Sequence, residues 1–475
     1  MRVAIVHYHL RIGGVSTVIG QAARVLTSSG IRVCVITGEP PAEKLSVPVA
    51  VVPELAYGAA GPRVPDVIAK MDEAASRLLG GAPELWHIHN HSLGKNLAMP
   101  AVVGVMAGAG RPLLLQMHDF AEDGRPGNYG LLLDGLADGD QEALGPRLYP
   151  RAANVHYAFL NRRDMTAFAG AGLPDTRAHY LPNAVEAPPP AADICRRSDL
   201  VIYPTRAIRR KNVGELVLWA ALERDGRRFA LTRAPRNPEH AAVYKRWVEF
   251  SSACRLPVEF GLAEKSPLSF PELMRSAACA ITTSVAEGFG LAFLEPWLMD
   301  CPLAGRALPE ITGTFKEEGI DLAQLYDRLD VPLEWVGAEN FRGILQRAMQ
   351  KVYEGYRRIL NAEDAEKAYS AAVREGCADF GRLDEDMQQS VISHILKNPS
   401  AASRIRPPKL SVSDSVVSRN KSAVLEKYGS SRYAARLQEI YRTVMESGAG
   451  SEDALNAGRV LDQFLLPERF NLLRT

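Results

Sequence analysis

Two glutamates, Glu287 and Glu295, stand eight positions apart in Ser284-Val285-Ala286-Glu287-Gly288-Phe289-Gly290-Leu291-Ala292-Phe293-Leu294-Glu295. Between them Gly288 and Gly290 mark a turn that opens an apolar run. Glycines let backbone N–H groups approach a ligand closely, and a helix start behind them favours an anion. If the segment after Glu287 is helical, eight residues set the carboxylates about 12 Å apart along the axis. That matches the reach of a nucleotide sugar, with one carboxylate near the sugar, the other near the ribose and the phosphates between. The same spacing also fits an amphipathic core helix with two surface glutamates, so these residues alone leave both readings open.

The segments around them alternate between strand and helix patterns. Short apolar runs at 2–7, 32–37, 85–89, 113–117 and 155–160 read as buried strands, separated by helical spacing at 16–28, 64–79 and 96–109. Such alternation predicts a parallel sheet with helices on both faces. Three prolines within 186–192 then break the pattern, since proline fits neither a helix interior nor a central strand. Alternation resumes with strands at 200–204, 229–232, 258–260, 279–283 and 302–304 and helices at 213–222 and 240–250. Beyond about residue 335 helices are expected at 341–360, 362–375 and 384–396, then a Pro- and Ser-rich stretch at 399–418, then helices at 423–428 and 431–445.

Other segments carry a resemblance. Residues 203–212 read Tyr-Pro-Thr-Arg-Ala-Ile-Arg-Arg-Lys-Asn, residues 181–185 read Leu-Pro-Asn-Ala-Val, and Gly13-Gly14 follows the first strand. Together with Glu-Gly-Phe-Gly-Leu-Ala-Phe-Leu-Glu at 287–295, these resemble the family 4 type of retaining glycosyltransferases, whose signature is a Glu, seven residues, then a Glu. The four motifs keep the family's order across roughly residues 1–310. Thr205 stands where the family usually has Gly in its Gly-Arg-x-x-x-x-Lys. The resemblance implies an α/β fold of two Rossmann-like domains facing each other across a cleft (GT-B), with C-terminal helices packing back on the N-terminal domain. The expected boundaries are an acceptor-binding domain at 1–186, a linker at 187–198, a nucleotide-sugar-binding domain at 199–400 and a helical extension at 401–475. No role is assigned to 448–475 beyond bracing the domains or forming an oligomer contact.

The same resemblance assigns roles. A nucleotide-sugar donor leaves as a diphosphate, and Arg206 and Lys211 are placed where cations would meet the developing charge. Arg209 and Arg210 between them read as a solvated face or as acceptor contacts. His118, at the end of a strand, resembles the histidine near the family's reaction centre, with Asp119 beside it as a substrate contact. Glu287 would face hexose hydroxyls, Glu295 would accept from the ribose diol, and Gly288, Phe289, Gly290 and Leu291 would line the donor. Gly13 and Gly14 would turn helix-terminal N–H groups toward the diphosphate. His89, His91 and Lys95 read as lining that touches the acceptor; no Asp or Glu lies among these histidines and the family needs no metal, so no metal and no cofactor are expected. One departure concerns Arg306, which stands where the family has small residues. It could bind an acidic acceptor such as a glycerate or phosphate ester, or equally serve as a surface salt-bridge partner.

Composition narrows the classes. At 475 residues with 47% apolar content the chain exceeds one core, and a net charge of +1 gives no bulk field for nucleic acid or membrane. Six scattered cysteines lack Cys-x-x-Cys spacing and read as reduced thiols. No signal peptide and no apolar run long enough to span a bilayer is found, so a cytoplasmic protein is expected, with homo-oligomerisation open. The leading expectation is a retaining, metal-independent transferase moving a hexose, with UDP-glucose as preferred donor, to a small-molecule or oligosaccharide hydroxyl. The alternatives are a GDP-mannose-dependent mannosyltransferase and a nucleotide-sugar 2-epimerase of the same fold. A catalytically silent subunit is disfavoured by the intact Arg206, Lys211, Glu287 and Glu295. A nicotinamide dehydrogenase is disfavoured by the absent Gly-x-Gly-x-x-Gly.

Overall fold

The computed structural model describes residues 1–59, 61–189, 197–406, 410–450 and 453–475. Part of the expected linker, 190–196 with Cys195, lies outside the described residues. The chain divides into two compact units. The first comprises Met1–Ala184, Gly355–Arg358 and Tyr428–Leu466; the second comprises Val185–Glu354, Ile359–Lys427 and Pro467–Thr475.

The first unit is built on a seven-stranded sheet. In chain order its strands are β1 (Arg2–His7), β2 (Arg32–Thr37), β3 (Val49–Val51), β4 (Leu85–His89), β5 (Leu113–Met117), β6 (Val155–Phe159) and β7 (Ala178–Tyr180). Their spatial order is β3-β2-β1-β4-β5-β6-β7, every pair parallel. β4, β5 and β6 are buried along their whole length, as strands covered on both faces must be. The order reverses between β1 and β4. Such a switch opens a crevice at the carboxyl ends of the strands, and His7, His89 and His118 stand there.

Helix Gly14–Ser28 covers one face of this sheet with Ile19, Ala22, Ala23 and Leu26. The late helix Ser430–Glu446 covers the same core with Tyr433, Leu437, Ile440, Tyr441 and Val444, a stripe at helical spacing. Tyr441 also bonds to the ring Nδ1 of His87 in β4 at 2.8 Å. The extension expected as one block at 401–475 is therefore divided. Residues 430–446 bury their apolar stripe in the first unit, whereas helix Asp414–Tyr428 is tied into the second through Asn420 to Asp321 and Lys421 to Asp300. Within 448–475, helix Ala457–Phe464 packs in the first unit and Pro467–Arg469 in the second.

The second unit holds a five-stranded parallel sheet. Its strands are β8 (Arg197–Arg206), β9 (Arg228–Arg233), β10 (Val258–Phe260), β11 (Ala277–Thr282) and β12 (Leu303–Gly305), in the order β10-β9-β8-β11-β12. Here the order reverses between β8 and β11. A small antiparallel sheet, β13 (Asp330–Pro332), β14 (Val373–Arg374) and β15 (Cys377–Asp379), was not expected from the sequence. It ends the helix expected to run to 375 at Ala372, because Glu375 and Gly376 both take positive φ, 49° and 72°, and form a hairpin turn. The helix expected at 423–428 begins at Asp414, inside the Pro- and Ser-rich stretch.

The five described cysteines are free thiols. No helix among the described residues is long and apolar enough to cross a membrane.

Leu437 is fully buried in the first unit's core, so Leu437→Ala should lower stability by about 2–5 kcal/mol. Leu425, 40% exposed, is the control: Leu425→Ala should stay within about 0.5 kcal/mol. Urea denaturation of the two variants beside the native chain checks both.

Candidate active site

In the second unit the strand switch brings two loops together. β8 ends at Arg206, and a single 3-10 turn, Arg209–Lys211, leads to Asn212 and the helix Val213–Leu222. The loop after β11 clasps this turn. Thr283 Oγ1 donates to the carbonyls of Lys211 and Asn212 at 3.0 and 2.9 Å, Val285 N–H donates to Arg210 O at 2.9 Å, and Tyr203 Oη donates to Lys211 O at 3.0 Å. Glu287 thereby arrives beside two cations: Lys211 Nζ donates to its Oε1, and Arg210 Nη1 donates to its Oε2 at 3.1 Å and to Ala286 O at 2.6 Å.

Burial would raise the Glu287 carboxyl, but Lys211 and then Arg210 outweigh it and hold the group below the ordinary carboxylate value. Glu287 is therefore an anion in the fold. Lys211 is pushed below the ordinary lysine value by burial, with Glu287 opposing. It is 13% exposed and ion-paired.

Arg206 contrasts with this pair. It forms no ion pair among the described residues, and burial followed by the charges of Arg236 and Arg233 pushes it below the ordinary arginine value. Arg206 sits directly opposite Arg233 in the β8–β9 register. Glu295 is its acidic counterpart: the carboxylate has no hydrogen-bond or ion-pair partner among the described residues, and burial pushes it up to about 6. Of the two motif glutamates, Glu287 is thus satisfied by protein cations, whereas Glu295 has no such partner among the described residues. The stretch between them is not the helix expected from the sequence. Gly290 has φ 100°, where a Cβ would fall 2.9 Å from Phe293 and 3.0 Å from Ile311. That left-handed residue breaks the helix and leaves a short 3-10 turn, Leu291–Phe293, so that Glu295 opens a new helix, Glu295–Leu298. Phe289, expected to line the donor, buries its ring against Phe315 at 5.8 Å, and only its backbone can face a ligand. Leu291 is exposed.

Three basic or buried residues depart from their expected roles. Arg209 is not a solvated residue: its guanidinium forks onto Glu385 at 2.7 and 2.8 Å and donates to Leu472 O at 3.2 Å. Arg210, also taken as solvated, is a second partner of Glu287. Arg306 is neither an acceptor contact nor a surface residue. It is 4% exposed, and its five N–H groups are committed to Glu215, Asp379 and the carbonyl of Asp327.

In the first unit, His118 lies just past β5. Its backbone N–H and that of Asp119 donate to Asn90 Oδ1 at 2.8 and 3.1 Å, and its Nε2 meets His89 Nδ1 at 2.8 Å. Burial lowers His118 to about 3, His7 to about 4 and His89 well below the ordinary value. These rings are neutral and offer hydrogen bonds without adding charge. Asp119 accepts from Arg125 at 2.5 Å. His89 and His91 do not line an acceptor surface: they are 1% and 0% exposed, and His91 Nε2 donates to Leu148 O at 2.7 Å. Lys95 is exposed, 5.9 Å from the Tyr57 ring centroid. Gly13 caps helix Gly14–Ser28 in extended backbone, and a Cβ on Gly14 would meet nothing within 4 Å. Protein packing therefore does not require this glycine pair. Among the described residues no group of three or more His, Cys, Asp or Glu could hold a metal ion.

Sequence reasoning did not single out Asn90 or Asn212, and it did not pair Arg210 with Glu287. Asn90 and Asn212 carried one available signal, an Asn directly after a strand or turn. Both take the left-handed backbone, φ 55° and 50°, that Asn tolerates better than most residues.

Two parallel sheets, each with its switch point furnished with polar residues, define the GT-B class. The model of the glycosyl transferase 4-like domain matches residues 13–184. Mannosylglucosyl-3-phosphoglycerate synthase of Petrotoga mobilis is 28% identical over 363 residues, 69% of each chain. Among solved structures, the glycosyltransferase from Rickettsia africae superposes with a TM-score of 0.54 at 11% identity, covering 94% of this chain and 98% of that one. Anabaena HepE, solved with UDP and glucose, gives 0.51 at 12% identity, covering 92% and 98%. Residues 13–184 are thus a glycosyl transferase 4-like domain, in a chain with the GT-B fold of glycosyltransferases.

A carboxyl that is harder to ionise in the fold than in the unfolded chain removes stability as pH rises. For Glu295 the change runs from 4.5 to about 6, so its charge costs nothing near pH 4 and the full amount above pH 7. Glu295→Gln should therefore stabilise the ligand-free protein by at most about 2 kcal/mol at pH 8 and by nothing at pH 4. Denaturation curves at the two pH values check this.

Proposed function

We propose that the protein is a retaining, metal-independent hexosyltransferase that moves mannose from GDP-mannose to a hydroxyl of a small anionic acceptor. The observation that carries the site reading is the division of labour in the second unit. Glu287 is held ionised by Lys211 and Arg210, while Arg206 and Glu295 have no ion-pair partner among the described residues. An unpaired cation and an unpaired carboxylate suit the diphosphate and the ribose diol of a nucleotide sugar. UDP-glucose was the donor first expected; the product named for the Petrotoga relative contains mannose, glucose and phosphoglycerate, which favours a mannosyl donor and a phosphorylated acceptor.

In this reading the bond from the anomeric carbon to the diphosphate breaks, and charge grows on phosphate oxygen beside Arg206 and Lys211. The acceptor oxygen bonds to the anomeric carbon on the face the diphosphate leaves, and its proton passes to the departing phosphate. Glu287 orients hexose hydroxyls and Glu295 holds the ribose.

Incubation with GDP-mannose and glucosyl-3-phosphoglycerate in excess EDTA, followed by proton NMR, tests the reading. The expected result is an α-linked product from the α-linked donor, undiminished by chelator. A β-linked first product overturns retention. Loss of activity restored by a divalent ion overturns metal independence. Turnover with UDP-glucose alone among the donors overturns the mannosyl assignment, and donor consumption without acceptor indicates an epimerase. Lys211→Met should lower kcat by about 10²–10³ in the same assay, and normal turnover would remove Lys211 from the site.

A further inference from the structure

We propose that Asn212 is a positioning residue for Lys211, held in that role by the buried set Glu215, Arg306 and Gln388; this rests on the donor-site reading given above. Asn212 directly follows Lys211 and takes φ 50°, ψ 56°, a conformation that costs a non-glycine residue roughly 1–3 kcal/mol unless its surroundings fix it. Asn is also a favoured helix cap, yet its side chain makes no capping bond to Val213–Leu222. It is committed elsewhere. Its Nδ2 donates to Glu215 Oε2 at 2.8 Å, and its Oδ1 accepts from Gln388 Nε2 at 2.8 Å.

Glu215 is in turn fully buried and saturated. Arg306 Nη2 donates to its Oε2 at 2.7 Å, Arg306 Nε lies 3.1 Å from its Oε1, and Tyr326 Oη donates to the same Oε1 at 2.6 Å. The guanidinium is fixed on its other side by Asp379, at 2.8 and 3.1 Å. A Cβ on Gly381 would come within 2.5 Å of the guanidinium carbon, so that glycine admits the arginine. Two carboxylates and one guanidinium in the interior are a weak device for stability alone, since well-packed apolar residues often do as well. What this set does hold is the one side chain that fixes the left-handed residue behind Lys211. On the other side of the turn Thr283 and Tyr203 fix the carbonyls of Lys211 and Asn212. The turn is clamped through backbone by the β11 loop and through Asn212 by the buried set, and the lysine's approach to Glu287 follows from both.

Asn212→Gly separates position from folding, because glycine adopts this backbone readily and loses only the two side-chain bonds. With GDP-mannose as donor, kcat should fall about tenfold or more, with acceptor KM unchanged, the melting temperature within a few degrees of native, and GDP binding weakened in calorimetry. Glu215→Gln, which keeps the volume, should shift the same two quantities. The double variant should be no slower than the slower single, as expected for residues acting through one another. A kcat within twofold of native for the folded single variants overturns the proposal, as does a loss that only tracks the unfolded fraction or losses that multiply in the double variant. Lys211→Met is run in parallel. If it turns over normally, the donor-site reading fails and this inference with it; if it is slow while Asn212→Gly is native, only the positioning role fails.

Discussion

The pairing of Lys211 with Glu287 is the constraint on which the second unit's strand-end loops depend. Two residues distant in sequence carry opposite charge and are drawn together at the carboxyl ends of adjacent strands, β8 and β11. Such a pair inside a protein is stable only when backbone and neighbouring dipoles fix its geometry. Here Thr283, Ser284 and Arg210 do so by tying one loop to the other, and Tyr203 of β8 by holding the Lys211 carbonyl. The parallel sheet supplies the scaffold: only strands that run the same way and reverse order at this point bring both loop ends to one edge.

The two units handle charge in opposite ways. At the first unit's switch point a row of imidazoles is stacked and drained of charge by burial, with His87 and His89 ring centroids 4.4 Å apart and His89 and His118 at 5.1 Å, and the neighbouring Asp119 is paired with Arg125. At the second unit's switch point the groups are full charges, some neutralised within the protein and some not. On the function proposed above, an arginine and a glutamate without ion-pair partners among the described residues suit a ligand carrying both an anion and a diol. The likeness between the sheets is thus one of scaffold, and the chemistry differs because the strand-end residues differ.

The strands were legible because parallel, doubly covered strands read as unbroken apolar runs, as at β1, β2, β4 and β5. The loops that place Glu287 and Lys211 were legible only as motifs. The pattern names the residues but not their partners, so Arg210 and Arg306 were assigned to solvent or acceptor when each has an interior or loop partner. A charged residue's burial depends on distant segments: Glu215 and Asp379 meet at Arg306 across more than 160 positions of sequence, and no local spacing signals that. The helix expected after Glu287 failed at one atom, the missing Cβ of Gly290. The small sheet at β13–β15 failed to register because strands of two or three residues carry no periodicity.

The first unit also sets an order on the making of the protein. Its sheet is complete once Tyr180 has been synthesised, but the apolar face that receives Tyr433, Leu437, Ile440 and Val444 stays uncovered until some 250 further residues have followed. In that interval Val3, Ile5, Leu85 and Leu114 belong to a core missing one wall, and a chain leaving the ribosome at about 5–20 residues per second carries it for at least ten seconds or so. The second unit has most of its own sequence available during that time and can fold ahead of the first. The segment made first would thus wait for one of the last helices made before its core is closed.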